Sequence, residues 1–431
     1  MALKDRLQRL TGEKPDATQN PREKTLADLR DRIEAVTTGR ERRLQAGSST
    51  DPKKTRLLQE LLPGEERENE HGRFYSVEAA LKPSHWHGNQ CVADFLSVDM
   101  DALSVLAGNA DLAAMNVRDG LYLDTETTGL SGGTGTVAFL IGLGWFEGST
   151  FVTRQLFARD YPEERACLAY LRELAKDKGF IVSFNGKAFD VNLLSTRFIM
   201  NRLPDPLAGL PHLDLLHPTR RLLGHRLENS RLGTVEQHVL GLERGDDIPG
   251  WEIPERYFRW LRHRHPRFMV DVFRHNHLDV VSLSALVRYL SEIVTGEGDR
   301  SQEREGDHLA AARLLIDRTR HQQGRSRLHE LCDSCHPRVS REARRQLSLH
   351  LKRDKDWKGA VTIWEEMLVA DPADRFACEE LAKWYEHQDK NPEHALCLVC
   401  STLELISDRS YVERKPLLYR RTRLEKKCGK P

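Results

Sequence analysis

Two acidic side chains follow directly on an apolar segment in the first third of the chain. The segment is Leu121–Leu123, and Asp124 and Glu126 come after it with one residue between them. In a β-strand, residues i and i+2 point to the same face, so the two carboxylates are expected side by side. Like charges held that close are unfavourable unless a cation neutralises them. Because Mg²⁺ and Mn²⁺ prefer oxygen ligands, the spacing indicates a divalent-metal site, although an isolated Asp-x-Glu is more often a solvated strand end.

Two further acids stand at positions that could join this site. Asp190 follows an apolar, strand-like segment over 180–184 and opens a helix-like segment, where it could equally act as a helix cap. Asp279 lies in a predicted amphipathic helix, and His275 precedes it by one turn on the same face. Without further evidence this His–Asp pair would be a surface salt bridge or a structurally satisfied histidine.

In this order and spacing the four acids resemble the motifs of the DEDD exonucleases, which are ribonuclease-H-like, DnaQ-type 3′–5′ exonucleases. The phrase Asp124-Thr125-Glu126-Thr127-Thr128-Gly129-Leu130 is the most specific element, and the resemblance spans roughly residues 117–295. Within that superfamily the chain resembles the YprB-type proteins, through the segments 227–232, 239–242 and 246–250.

The resemblance implies a set of site residues and a mechanism. Two divalent ions, Mg²⁺ or Mn²⁺, would activate a water and stabilise the leaving 3′-oxygen. Their ligands would be Asp124, Glu126, Asp190 and Asp279.

The candidate general base is His275, because imidazole side chains titrate near neutrality. One branch of the family has His five residues before the last acid, and the other has Tyr four residues before it. In this chain the residue is His, as in the first branch, but its distance from the last acid is that of the second branch. His275 stands four residues before Asp279. His277 is the alternative, although its position turns it to another face of the helix.

Three functions are consistent with these residues. The leading one is a metal-dependent 3′–5′ exonuclease acting on single-stranded DNA or RNA. The alternatives are a structure-specific endonuclease on the same fold, and a non-catalytic adaptor that binds nucleic acid. No residue visibly reads a 2′-hydroxyl, so the sequence does not distinguish DNA from RNA.

The elements that must position the acids are predicted from hydrophobic periodicity. The predicted strands cover 121–124, 136–146, 150–157 and 180–184, and the predicted helices cover 163–176, 191–202, 230–240 and 270–294. This order predicts an α/β fold, a ribonuclease-H-like mixed sheet with flanking helices and the acids at one edge.

Three regions are predicted. Residues 1–70 are charged and poor in aromatics, which favours a flexible or loosely helical segment. Residues 72–300 form the exonuclease domain. Residues 305–431 form an all-α, tetratricopeptide-like module with a period of about 34 residues, suited to binding a protein partner.

The predicted domain contains many arginines, and aromatic residues are interleaved with the arginines in its later part. They form either a solvated face or a groove that tracks phosphates while aromatics stack bases. The residues concerned are Arg197, Arg202, Arg220, Arg221, Arg226, Arg231, Arg256, Arg259, Arg262, Arg264 and Arg267, with Trp251, Tyr257, Phe258 and Trp260.

Composition indicates which cellular location to expect for the protein. The formal net charge is +1, and no apolar stretch is long enough to span a membrane. The amino terminus lacks the apolar core of a secretory signal, and eight cysteines in 431 residues do not suggest a disulfide scaffold. A cytoplasmic protein without a membrane partner is therefore expected. Cys332 and Cys335 have a spacing that zinc sites use, but their surroundings favour a structure without zinc.

Overall fold

The computed structural model describes residues 58–129, 135–297, 304–406, 408 and 410–429. The predicted flexible or loosely helical character of residues 1–57 lies outside these ranges. Within the described ranges, the residues from Gln59 onward form one compact unit.

A mixed seven-stranded sheet forms the centre of this unit. Its strands are β1 (Glu65–Asn69), β2 (Gly72–Leu81), β5 (Gly120–Thr127), β6 (Ala138–Glu147), β7 (Thr150–Phe157), β8 (Phe180–Ser183) and β9 (His212–Asp214), and the short β3 (Trp86–His87) and β4 (Gln90–Cys91) pair separately. The order across the sheet is β1-β2-β7-β6-β5-β8-β9. Strands β1, β2, β7, β6 and β5 pair antiparallel, whereas β5, β8 and β9 pair parallel.

The helices of the sheet region flank both faces. They are α1 (Met100–Ala107), α2 (Glu164–Ala175), α3 (Asp190–Met200), α4 (Leu216–Leu223), α5 (Leu232–Val235), α6 (Ile253–His263) and α7 (Arg267–Thr295). A π-helical turn, Glu236–Leu240, continues α5. Short 3₁₀ helices cover Val92–Ser97, Ala110–Ala114, Val117–Asp119, Tyr161–Glu163 and Gly250–Glu252.

Two hydrophobic cores sandwich the sheet because successive side chains of β5 alternate between its faces. Tyr122 packs into the core that contains Val280 and Val281 of α7. Leu121 and Leu123 pack into the opposite core, with side chains of α2 and α3. Strand β6 is buried along all but its last residue, as expected for a central strand. The predicted fold class, a ribonuclease-H-like mixed sheet with flanking helices, is confirmed.

The first strand of the sheet precedes the predicted start of the domain at residue 72. Strand β1 has the sequence Glu-Glu-Arg-Glu-Asn and pairs with β2 at the edge of the sheet. Edge strands often carry charges that discourage pairing with other chains. A strand without apolar alternation gives no periodic signal, which is why this strand was not predicted; the domain start at residue 72 stays a prediction.

A run of helices follows the sheet region, as predicted for residues 305–431. They are α8 (Glu305–Asp317), α9 (His321–Cys332), α10 (Pro337–Arg353), α11 (Trp357–Ala370), α12 (Arg375–His387), α13 (Pro392–Leu405) and α14 (Tyr411–Lys427). Their similarity to tetratricopeptide repeats stays a prediction. No helix within the described ranges is both long and apolar enough to span a bilayer.

The predicted boundary at residue 305 separates residues that pack together. Helix α8 contributes Ala311, Leu314 and Leu315 to the same core as α7. Its Asp307 is fully buried and pairs with Arg226, whose Nε lies 2.9 Å from Asp307 Oδ1. Helix α8 thus packs with the sheet region, and the start of a separate module at residue 305 stays a prediction.

Candidate metal centre

Strand β5 presents the first two predicted ligands at its carboxyl end. Asp124 stands opposite Gly142 of β6, Glu126 stands opposite Leu140, and the register shifts immediately after Glu126. Both acids share the face of Tyr122, which is the face covered by α7. The expected side-by-side placement of the two carboxylates therefore follows from the strand itself.

Helix α7 approaches this face unusually closely because β6 has a glycine beneath it. A Cβ atom added at Gly142 would collide with the side-chain amide of Asn276. Asn276 is buried and its Nδ2 donates to Asp124 Oδ2 at 2.8 Å. Gln155 holds the amide in this orientation, because its Nε2 donates to Asn276 Oδ1 at 2.9 Å. Asp279 lies on the same helix, one turn further on.

Asp190 reaches the site from the loop that joins β8 to α3. It is the first residue of α3, and no side-chain capping bond forms at that helix end. Thr125, between the two β5 acids, donates from Oγ1 to Asp190 Oδ1 at 2.5 Å. The buried Asp214 fixes the loop, since it accepts from the amides of Asn185 at 2.7 Å and Lys187 at 3.0 Å. Asp190 therefore belongs to the acid cluster as well as to the helix start.

Three of the four carboxylates resist ionisation. Burial, and then the negative charges of Asp279, Glu126 and Asp190, raise the pKa of Asp124 well above its usual range. Burial, followed by Asp279 and Asp190, does the same to the pKa of Glu126. Burial also raises the pKa of Asp190, although the bond from Thr125 opposes it. Such a cluster is stabilised by a bound cation.

His275 lies between a structural acid and the cluster. Its Nδ1 is 2.9 Å from Asp247 Oδ2, and its Nε2 is 3.5 Å from Asp279 Oδ2. Burial disfavours the charged form of Asp247, but the hydrogen bond from His275 and the nearby Arg244 lower its pKa below the usual range. His277 points elsewhere, with Nδ1 2.9 Å from the hydroxyl of Thr153 on β7.

One functional residue was missed by sequence reasoning. Arg244 lies in the loop after the π-helical turn and pairs with Asp279, Glu236 and Asp247. Burial opposes its charged form, but Asp279 and Glu236 raise its pKa above the usual value. Its loop has no periodic pattern, and the only sequence signal is a pair of glycines, Gly241 and Gly245, that turn the backbone on either side.

The donor set fits a hard divalent cation. Ligating atoms of Glu126, His275 and Asp279 lie within 4.8 Å of one another. Asp190 lies close enough to raise the pKa of Asp124 and of Glu126, so both belong to the same cluster. Carboxylate oxygens are the side-chain ligands that Mg²⁺ and Mn²⁺ prefer.

Sequence comparisons relate this chain to known proteins. The RNase_H superfamily profile matches residues 121–291, a range that includes all four acids and His275. The chain is also 32% identical over 366 residues to the uncharacterized protein YprB of Bacillus subtilis strain 168. That alignment covers 84% of this chain and 87% of YprB. The chain belongs to the RNase_H superfamily. Membership suggests nuclease activity on nucleic acid, while the narrower DEDD assignment stays a prediction.

Three of the residues considered for a phosphate groove are buried, so they do not line one. In this RNase_H superfamily member, Tyr257 is fully buried and stacks on Phe139 with ring centroids 4.0 Å apart. Trp260 is also buried and donates from Nε1 to the carbonyl of Arg159 at 2.9 Å. Arg197 is buried in an ion pair with Glu164. Tyr257 and Trp260 are core residues because their helix, α6, packs against the sheet, whereas Trp251, which precedes α6, is largely exposed.

The cysteine pair is not part of the group of ligating side chains. Cys332 Sγ lies 3.3 Å from the carbonyl of Leu328, one turn back in α9, and Cys335 is exposed. Across the described part of the chain, three or more His, Cys, Asp or Glu side chains gather at ligating distance only at Glu126, His275 and Asp279. The expectation that these cysteines hold no zinc stays a prediction.

Proposed function

We propose that the protein is a metal-dependent phosphodiester hydrolase that acts as a 3′–5′ exonuclease on single-stranded DNA or RNA. The observation that carries the proposal is the convergence of four carboxylates at the end of β5, where burial raises the pKa of three of them and repulsion within the cluster adds to the rise for Asp124 and Glu126. Such a cluster costs stability without a cation, so a structural role alone does not account for it.

The carboxylates supply the metal ligands in this proposal. They are Asp124, Glu126, Asp190 and Asp279. Divalent ions held there would lower the pKa of a bound water and stabilise negative charge on a phosphate. The chain contributes the orientation of the ligands: Asn276 fixes the carboxylate of Asp124, and Thr125 fixes that of Asp190.

His275 serves as the general base, and Asp247 determines which ring nitrogen is free. The lowered pKa of Asp247 keeps this group a carboxylate, which accepts a hydrogen bond from His275 Nδ1. In the neutral imidazole the remaining lone pair is then on Nε2, the nitrogen that faces Asp279. The Nε2 atom can accept a proton from a water held beside Asp279.

An exposed aromatic residue beside the cluster favours a single-stranded substrate. Phe189 is 51% exposed and directly precedes Asp190. Exposed aromatic side chains next to a cation site can stack an unpaired base, and such stacking tolerates any sequence. A base stacked on Phe189 would bring its phosphate towards the acids.

Cleavage of matched linear and circular substrates tests the proposal. Purified protein is incubated with 3′- or 5′-end-labelled single strands and with circular single strands, in Mn²⁺ or in EDTA. We expect stepwise shortening from the 3′ end in Mn²⁺ only, and intact circles. Asp190→Asn should abolish cleavage, whereas Asp246→Asn, at an exposed acid outside the cluster, should not. Cut circles would show an endonuclease, and binding of the strands without cleavage would show an adaptor.

A further inference from the structure

Arg244 carries a positive charge into the acid cluster on a short, glycine-bounded loop. Gly241 and Gly245 have φ values of +62° and +59°, the left-handed region that glycine adopts most readily. The loop turns at both, and the side chain of Arg244 is only 10% exposed. The guanidinium is therefore part of the interior of the site.

The guanidinium pairs with three carboxylates from three different elements. Its Nη2 donates to Asp279 Oδ1 and to Glu236 Oε1, and its Nη1 lies 3.0 Å from Asp247 Oδ2. Its Nε is buried and has no hydrogen-bond partner among the described residues. The charges of the three carboxylates hold the guanidinium in place, although not all of its N–H groups are hydrogen-bonded.

One of these partners is a predicted metal ligand. Asp279 belongs to the group of three side chains, with Glu126 and His275, whose ligating atoms lie within 4.8 Å of one another. One Asp279 oxygen accepts from Arg244, and the other faces His275 Nε2 at 3.5 Å. A divalent ion bound to this group would stand beside a fixed positive charge, and like charges in a partly buried site repel strongly.

We propose that Arg244 is a resident cation that takes the place of the second metal ion, so that the chain binds one divalent ion where a two-ion site would bind two. The proposal rests on the proposed function, because it assumes that the acids bind metal. In this proposal the carboxylates that do not pair with Arg244, namely Asp124, Glu126 and Asp190, hold the remaining ion, while Asp279 stays paired with the guanidinium. Arg244 then provides the second positive charge for a bound phosphate, which a guanidinium can contact through two N–H groups at once.

Counting bound Mn²⁺ tests the proposal without measuring cleavage. Free Mn²⁺ is titrated into the full chain and followed by its electron paramagnetic resonance signal, which is lost on binding. We expect one bound ion in the parent protein. Arg244→Met should bind two, or bind its second ion at least ~10-fold more tightly than the parent, because the competing charge is gone.

Three further variants separate charge from structure. Arg244→Lys keeps the charge and should still bind one ion. Arg244→Met combined with Glu236→Gln removes the carboxylate that the first change leaves buried, and the new amide oxygen can still accept from Ser282. Arg256→Met is the matched control, since Arg256 also pairs with two acids, Glu252 at 2.9 Å and Asp271 at 2.6 Å. Thermal melts confirm that each variant is folded.

The outcomes distinguish this proposal from the proposed function. Two tightly bound ions in the parent would overturn the resident-cation proposal and leave the nuclease proposal standing. Weaker Mn²⁺ binding in folded Arg244→Met would also overturn it, because Arg244 would then support the ligands rather than compete with the ion. A parent protein that binds no Mn²⁺ would refute both.

Discussion

Replacing Glu126 by Gln is expected to stabilise the metal-free protein while abolishing its activity. Ligating oxygens of Glu126 and Asp279 lie within 4.8 Å. At an effective dielectric constant of about 20, two unit charges at that distance repel by ~3 kcal/mol. Because Arg244 offsets part of this repulsion, the net gain for Glu126→Gln should be ~1–2 kcal/mol. For a protein of this size the melting temperature should rise by about 1–3 °C.

The gain should depend on pH with a definite sign. The pKa of Glu126 is raised in the folded protein, so the native state binds more protons than the unfolded state above the ordinary carboxyl range. Stability contributed by this group therefore falls as pH rises through the raised pKa. The difference in melting temperature between variant and parent should be small below about pH 4, where the carboxyl is largely protonated in both states, and should grow towards about pH 8.

Thermal melts in EDTA and in Mn²⁺ measure both effects. In EDTA at about pH 8 the variant should melt above the parent. In saturating Mn²⁺ the order should reverse, since an ion at about 100 times its dissociation constant adds ~2.7 kcal/mol to the protein that binds it. Glu255→Gln, at an exposed acid on α6, is the control and should shift neither melt by more than ~0.5 kcal/mol. A Glu126→Gln protein that melts at or below the parent in metal-free buffer would refute the repulsion argument.

Two further predictions follow from the same geometry. His275→Ala should lower turnover by ~10²–10⁴-fold while Mn²⁺ binding persists, and His275→Tyr should recover part of the loss; unchanged turnover would place the base elsewhere. A chain ending at residue 300 should be insoluble or melt far below the full chain, because it lacks the buried Ala311, Leu314 and Leu315 of α8. A chain ending at residue 354 keeps the packed helices α8 to α10 and should remain folded; circular dichroism melts of both chains would decide, and equal stability would show that α8 is not part of the core.

Hydrophobic periodicity and the order of the motifs predicted most of the structural features that depend on residues close together in the sequence. The apolar run before Asp124, and the helical spacing around Asp279, gave elements within a few residues of those observed. Both signals are carried by neighbouring side chains. The convergence of the four acids came from the resemblance to a family, since contacts between β5, α3 and α7 join residues far apart in the chain.

What the sequence did not predict depends on three-dimensional packing. Arg244 meets Asp279 across 35 positions, and nothing in its own loop indicates that Asp279 is a partner. Tyr257 was a candidate for stacking bases because it is interleaved with arginines, but the apolar face of α6 buries it against Phe139. Strand β1 forms through backbone pairing with β2, which its charged side chains do not reveal.

Gly142 sets how closely α7 lies on β6, and therefore how far Asp279 lies from the acids of β5. The helix that carries Asp279, His275 and Asn276 rests on the sheet where this residue has a hydrogen instead of a carbon. Gln155 holds Asn276 from the other side, so the amide cannot move aside for a larger neighbour. A methyl group at residue 142 would lift the helix and widen the gap between its ligands and those of β5. Mg²⁺ requires oxygens at about 2.0–2.1 Å, whereas Ca²⁺ accepts about 2.3–2.6 Å. We therefore expect Gly142→Ala to weaken Mg²⁺ binding more than Ca²⁺ binding in calorimetric titrations, and an unchanged ratio of the two affinities would show that this spacing does not set the choice of ion.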